Sequence, residues 1–322
     1  MIYRVRHETI YTYEDPVSVS HHVVRLTPRN LEGQHCRESR IAIEPVLDVS
    51  TSTHIDYFGN TVTSFTLPES HNRLSVDAVS VLEVNTVPWP DFSASPAWEA
   101  VRDSVPEDHT VEGLDAYQFI FDSGRIIASR ALADYALESF TPRRPLLDGV
   151  YDLTRRIFQD FRFDAKATEV TTPVETFFEK RRGVCQDFSH LQIACLRSLG
   201  LPARYVSGYL RTMPPPGRPR LVGADASHAW CAAWCPSFDN EQKGRKNGAS
   251  VYGRDGQSAA DAGRHAGRWV DFDPTNNCVP SDGHITLAWG RDYSDVSPVQ
   301  GILLGGAKHS LEVRVDVMPL ES

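Results

Sequence analysis

The chain has 322 residues, 41% of them hydrophobic, enough to bury a sizeable core and to form more than one domain. A formal net charge of −9 at pH 7 argues against nucleic acid or an anionic membrane surface as a main partner. No apolar run approaches the ~20 residues that span a bilayer, and Met1–His7 lacks the apolar stretch of a secretory signal, so the expected location is cytoplasmic.

Residues 1–90 read as an all-β, sandwich-like region. Tyr3, Val5, His7, Thr9, Tyr11 and Tyr13 alternate along one run, Leu74–Leu82 forms another, and Phe58-Gly59-Asn60 makes a turn. Val87-Pro88-Trp89-Pro90 ends this region, and 91–145 reads as a helical connection whose clearest piece is Ser129–Glu138. Residues 146–322 form the expected core. It opens with a helix over Pro145–Phe161, because Leu147, Val150, Leu153 and Ile157 fall at helical spacing.

Next comes Arg182-Gly183-Val184-Cys185-Gln186-Asp187-Phe188, a turn leading into a helix that Gly200-Leu201-Pro202 stops. Leu191, Ala194, Cys195, Ser198 and Leu199 share a stripe, which predicts burial on that side. Gly183 permits a tight turn, and Asp187 and Gln186 shape the helix start. Cys185 then lies in the first turn, where unpaired N–H groups and the positive end of the helix dipole favour a thiolate. His190 falls off the Cys185 face and reads as structural.

Val206–Arg211 predicts a strand and Met213–Gly217 a rigid loop. His228 opens an aromatic and small-residue strand through Cys235, and Arg268–Phe272 predicts another, ended by Asp273-Pro274. Two adjacent antiparallel strands of this kind can hold an imidazole and a carboxylate as an oriented pair. A thiol, an imidazole and a carboxylate in the order Cys185, His228, Asp273 suit acyl transfer through a cysteine nucleophile. The N–H of Cys185 is the natural oxyanion donor.

Each of these residues has a plainer reading. Cys185 could be a buried structural thiol, His228 a satisfied core histidine, and Asp273 a turn residue before Pro274-Thr275. Asp271, two residues earlier on the strand, competes for the carboxylate role. Trp230 and Trp269 read as core or pocket wall. Six cysteines in a chain this long do not suggest a disulfide scaffold, and the five besides Cys185 read as buried structural thiols. Cys231 and Cys235 cannot join His228 around one zinc, because strand residues four apart are ~13 Å from each other.

Gly-Val-Cys-Gln-Asp-Phe, His-Ala-Trp and Phe-Asp-Pro-Thr-Asn together resemble the transglutaminase-like core, a papain-related superfamily with a Cys-His-Asp triad. Asn276-Asn277, Gly283-His284-Ile285 and Ala288–Pro298 resemble the C-terminal signature of a bacterial branch of that family. Tyr3–Tyr13 with Arg25–Arg29 resembles its N-terminal β domain. The resemblance implies an α+β fold, with an N-terminal antiparallel β-sandwich-like domain before a papain-like core whose catalytic cysteine sits at a helix N-terminus on an antiparallel sheet. It also favours Asp273 over Asp271. The partners it implies are a protein or peptide donating an amide carbonyl, with water or a primary amine as acceptor. No cofactor and no metal is expected, and no stretch reads as a calcium loop. The departure from the family is residues 237–267, polar and rich in turn formers, which read as a flexible surface insertion between the His and Asp strands. The alternative from another functional class is a catalytically silent fold used as a binding or scaffolding module. A zinc enzyme is a third reading.

Overall fold

The computed structural model describes residues 1–45, 49–212, 226–236 and 267–320. The 213–217 loop and, apart from Gly267, the 237–267 stretch lie outside the described residues. In chain order the elements are β1 (Ile2–Val24), β2 (Gln34–Glu44), β3 (Thr51–Ile55), β4 (Thr61–Leu67) and β5 (His71–Val84). Helices α1 (Trp98–Ser104), α2 (Val111–Tyr117), α3 (Arg130–Leu137) and α4 (Leu146–Asp160) follow. Then come β6 (Arg162–Phe163), α5 (Val174–Lys180), β7 (Arg182–Gly183), α6 (Cys185–Ser198), β8 (Ala203–Leu210), β9 (Ala226–Cys235) and β10 (Arg268–Phe272). The chain closes with β11 (His284–Gly290), α7 (Tyr293–Val296), β12 (Val299–Gly305) and β13 (His309–Leu320).

These elements form two compact units built from non-contiguous segments. The first comprises Met1–Pro88, Val206–Ala229 and Pro280–Ser322, the second Trp89–Tyr205 and Trp230–Val279. The first unit is dominated by a seven-stranded antiparallel sheet ordered β2-β5-β1-β4-β3, with β12 and β13 also on β1. The sandwich-like expectation takes the form of one long strand, β1, whose two halves each carry a ladder on both edges. Residues 2–12 of β1 pair with β5 and β13, and residues 20–24 with β4 and β12. The ladder with β5 breaks between Thr12 and Val17, where Pro16 has no N–H to offer. Tyr3, Val5, His7 and Thr9 are buried while Arg4 and Arg6 are exposed, which is the period-2 pattern of the sequence. The C-terminal alternation returns to a sheet as expected, with Val315 and Val317 buried.

In this unit the edge of β11 is completed by side chains rather than by a strand. Gln34 accepts the Thr286 N–H at 2.8 Å and donates to the Thr286 carbonyl at 2.8 Å. Asn60 does the same for Trp289, at 3.0 and 2.9 Å. Each carboxamide offers one acceptor and two donors, so it satisfies both backbone groups of an edge residue. The Arg29 guanidinium lies 3.5 Å above the Trp289 ring and donates to Asn60 Oδ1 at 2.6 Å. The buried His7 ring bridges Tyr209 (3.0 Å) and Thr9 (2.9 Å), and β8 from Val206 onward neighbours β11.

The second unit is a helical cluster around α6, with α3, α4 and α5 packed on it. Ser129 caps α3, and α4 buries Leu147, Val150, Leu153 and Ile157 as their spacing predicts. The expected one-sided burial of α6 is corrected, because Gln186 through Arg197 are buried all round. Its polar side chains are hidden because each finds a partner. Gln192 donates to Thr154 Oγ1 at 2.7 Å, Ser189 to the Cys185 carbonyl at 2.8 Å and Arg197 to the Ala203 carbonyl at 2.9 Å. The C-terminal half of β9 pairs antiparallel with β10, from Cys231↔Phe272 to Cys235↔Arg268. No helix among the described residues is long and apolar enough to cross a membrane.

Candidate active site

Cys185 is the first residue of α6, and its thiol is only half-buried. At that position the N–H has no acceptor within the helix, and the dipole presents its positive end. The turn before it is held by Asp187, whose carboxylate accepts the Val184 N–H at 2.8 Å and the Thr168 hydroxyl at 2.6 Å. Burial, outweighing these two hydrogen bonds, pushes the Asp187 carboxyl up from its ordinary value. Gln186 donates to the Val170 carbonyl at 2.9 Å, so the 164–173 loop is fastened to the start of the cysteine helix at two points.

Gly183 is required here for space rather than for a left-handed backbone. A Cβ at this position would fall on the Asp187 carboxylate and 2.8 Å from two ring carbons of Phe177. Phe177 cannot retreat, because it is packed against Phe161 and Phe188 with ring centroids 5.0 and 5.3 Å away. The side-chain-free residue two before the cysteine is therefore part of how the nucleophile is positioned.

The other thiols differ from Cys185 in burial and chemistry. Cys195, Cys231 and Cys235 are buried as expected, whereas Cys36 and Cys278 are half-buried, which corrects that expectation for these two. Burial raises the Cys36, Cys195 and Cys231 thiols, and pushes those of Cys235 and Cys278 up to about 12. Asp273 adds a second, repulsive contribution at Cys278.

His228 lies in the part of β9 that belongs to the first unit and is 7% exposed. Beside it stands His284, the first residue of β11, with ring centroids 6.0 Å apart and planes tilted by 51°. In the sequence His284 stands out only within the Gly283-His284-Ile285 signature. The available signal was a second histidine opening a strand after the aspartate turn. His190, by contrast, is buried against Tyr205 at 5.0 Å, in keeping with a structural role.

Asp273 belongs to the second unit, directly after β10, and is fully buried. Its Oδ1 accepts the N–H groups of Thr275 (2.9 Å) and Asn276 (3.1 Å), and its Oδ2 accepts Asn276 Nδ2 at 2.7 Å. Backbone bonds to Cys278 close the turn, with Asn277 in the left-handed region at φ 51°. The turn-forming role is therefore real, and it fixes the carboxylate in one orientation. Asp271 is half-buried on β10, opposite Ala232. Trp230 is fully buried. Trp269 packs with Phe119 and Trp234 under the Arg204 guanidinium, as a wall residue would.

An α+β chain with an N-terminal β region and a half-exposed cysteine opening a buried helix defines a recognisable class. Residues 3–83 match the family model for the bacterial transglutaminase-like N-terminal region, and residues 133–274 that of the transglutaminase-like superfamily. An uncharacterized protein of Mycobacterium tuberculosis is 38% identical over 99% of this chain and 93% of its own length. One of Mycobacterium leprae is 30% identical over 98% of each chain. A solved structure from Cytophaga hutchinsonii, described as a candidate cysteine protease, superposes with a TM-score of 0.67. It is 19% identical and covers 100% of this chain and 92% of its own. The chain belongs to the bacterial transglutaminase-like proteins of the transglutaminase-like superfamily. That membership supports cysteine-dependent catalysis in general terms.

Proposed function

We propose that the protein is a cysteine-dependent acyl-transfer enzyme acting on amide or peptide carbonyls, with Cys185, His228 and Asp273 as its catalytic residues. The observation that carries this reading is the seat of Cys185: first residue of a buried helix, half-exposed, in a turn locked by Asp187 and Gly183. Strand alternation supports the choice of partners. His228 stands two residues before Trp230 in one unbroken strand, hence on the same face. Asp273 directly follows Phe272, the last ladder residue of β10, whose partner is Cys231.

In this reading the Cys185 thiolate attacks the carbonyl carbon, and the Cys185 N–H stabilises the oxyanion. The His228 imidazolium gives its proton to the departing amine as the C–N bond breaks, leaving a thioester. Asp273 fixes the imidazole tautomer and stabilises the imidazolium. Water or a primary amine then attacks the thioester, giving up its proton to His228, and the thiolate is restored. Hydrolysis is the favoured outcome, and a site that excludes water would favour amine transfer instead.

The experiment is incubation with amide and peptide libraries, with and without an added primary amine, read by mass spectrometry against Cys185→Ala. Acid release that depends on Cys185 is the expected result. Amine incorporation without acid release would replace hydrolysis by cross-linking, and full activity in Cys185→Ala would remove the proposal altogether.

A further inference from the structure

In the first unit, β13 carries an exposed apolar row on a regular edge strand. Val315 and Val317 in this row are buried, but Val313 and Leu311, two and four residues before Val315 on the same face, are 46% and 54% exposed. Two other strands that end ladders in this sheet have protective features. Strand β3 has only five residues, and β2 is bulged between Cys36 and Glu38. Short, bulged or irregular edges resist further pairing. Strand β13 has none of these features. It matches β1 residue for residue from Ile2↔Leu320 to Tyr13↔His309, and among the described residues it pairs with β1 alone.

We propose that the 311–315 segment of β13 pairs antiparallel with the same segment of a second copy of this chain, about a two-fold axis through Val313. The charges select this register. With Val313 on the axis, Glu312 lies opposite Arg314 of the other copy, and the symmetry makes that ion pair twice. Leu311 then lies opposite Val315, so the exposed row of each copy covers the other. Moving the axis to Arg314 sets Arg314 against itself and Glu312 against Asp316. Moving it to Glu312 sets that carboxylate against itself. An axis at Val315 restores an Arg314–Asp316 pair but places Leu311 opposite Pro319, which has no N–H to donate. Within one chain Arg314 already reaches Glu312 at 2.7 Å and Glu8 at 3.2 Å, so the guanidinium lies on the face where the second carboxylate would arrive.

Sedimentation velocity of the full chain across a dilution series tests this. The wild type is expected to reach twice 36.0 kDa. Glu312→Arg sets arginine against arginine and is expected to weaken the dimer by at least about tenfold. The double exchange Glu312→Arg with Arg314→Glu restores opposite charges across the axis and is expected to restore the dimer. Both side chains are exposed, and circular dichroism confirms that the variants fold. A wild type that stays monomeric at every concentration overturns the proposal, as does a Glu312→Arg variant that dimerises like the wild type.

Discussion

Replacing Gly183 with alanine adds one methyl group where the turn has no room for it. The new Cβ would fall on the Asp187 carboxylate and 2.8 Å from Phe177, which is itself wedged between two other phenylalanines. Overpacking of this kind costs about 1–3 kcal/mol. Displacing Asp187 also loses its bond to the Val184 N–H, a cap worth about 1 kcal/mol. The sum, about 2–4 kcal/mol, corresponds to a fall of roughly 3–6 °C in Tm for a chain of 322 residues. The Cys185 thiol should also react more slowly with an alkylating agent, because its helix start has shifted. Gly283→Ala is the matched control: a Cβ there meets nothing within 4 Å, so its Tm should stay near that of the wild type. The two variants are compared by thermal unfolding and by timed alkylation read by peptide mass spectrometry. A Gly183→Ala protein that melts with the wild type and alkylates at the same rate would show that the space argument for this turn is mistaken.

Gln34→Leu should cost about 1–3 kcal/mol in unfolding experiments, because it strands the Thr286 N–H, while the Thr286 carbonyl keeps a long bond from the Arg29 N–H at 3.4 Å. A loss under about 0.5 kcal/mol would mean that water replaces the carboxamide. Burial lowers the His7 imidazole to about 4, against about 6.5 in the unfolded chain. The unfolded state therefore takes up a proton that the folded state refuses. The stability tied to His7 is complete above pH 6.5 and is lost as pH falls towards 4, by about 3 kcal/mol. His7→Gln should flatten that acid limb by close to one proton, and an unchanged slope between pH 6.5 and 4 would contradict the assignment.

Much of the fold was legible because periodicity reports local structure directly. The alternation in β1, the helical spacing of Leu147, Val150, Leu153 and Ile157, and the proline after Asp273 each mark an element. Which strands pair is a long-range matter, and alternation is silent on it. Nothing in Ser310–Val317 says that its neighbour is the strand at the other end of the chain rather than the strands just before it, yet β13 lies against β1. The all-round burial of α6 was hidden because its polar residues look solvent-bound until Thr154 and the Ala203 carbonyl are in place to receive them. The same limit concealed Gln34 and Asn60, whose carboxamides stand in for a strand only once β11 has come alongside. At the candidate site, Cys185 and Asp187 were readable because a helix start has local rules. His284 was not, since a histidine at a strand end acquires meaning only from the ring beside it.

The central claim is that Cys185 is the activated thiol of this chain, and competitive alkylation with iodoacetamide at pH 6 tests it most directly. Of the six cysteines, Cys195, Cys231 and Cys235 are shielded, and burial raises the half-exposed thiols of Cys36 and Cys278, the latter to about 12. Only a thiolate reacts well, so Cys185 should be modified at least about tenfold faster than any other cysteine, and His228→Ala should remove most of that advantage. Labelling of Cys36 or Cys278 at the same rate as Cys185 would contradict the account and leave the fold as a scaffold without the chemistry.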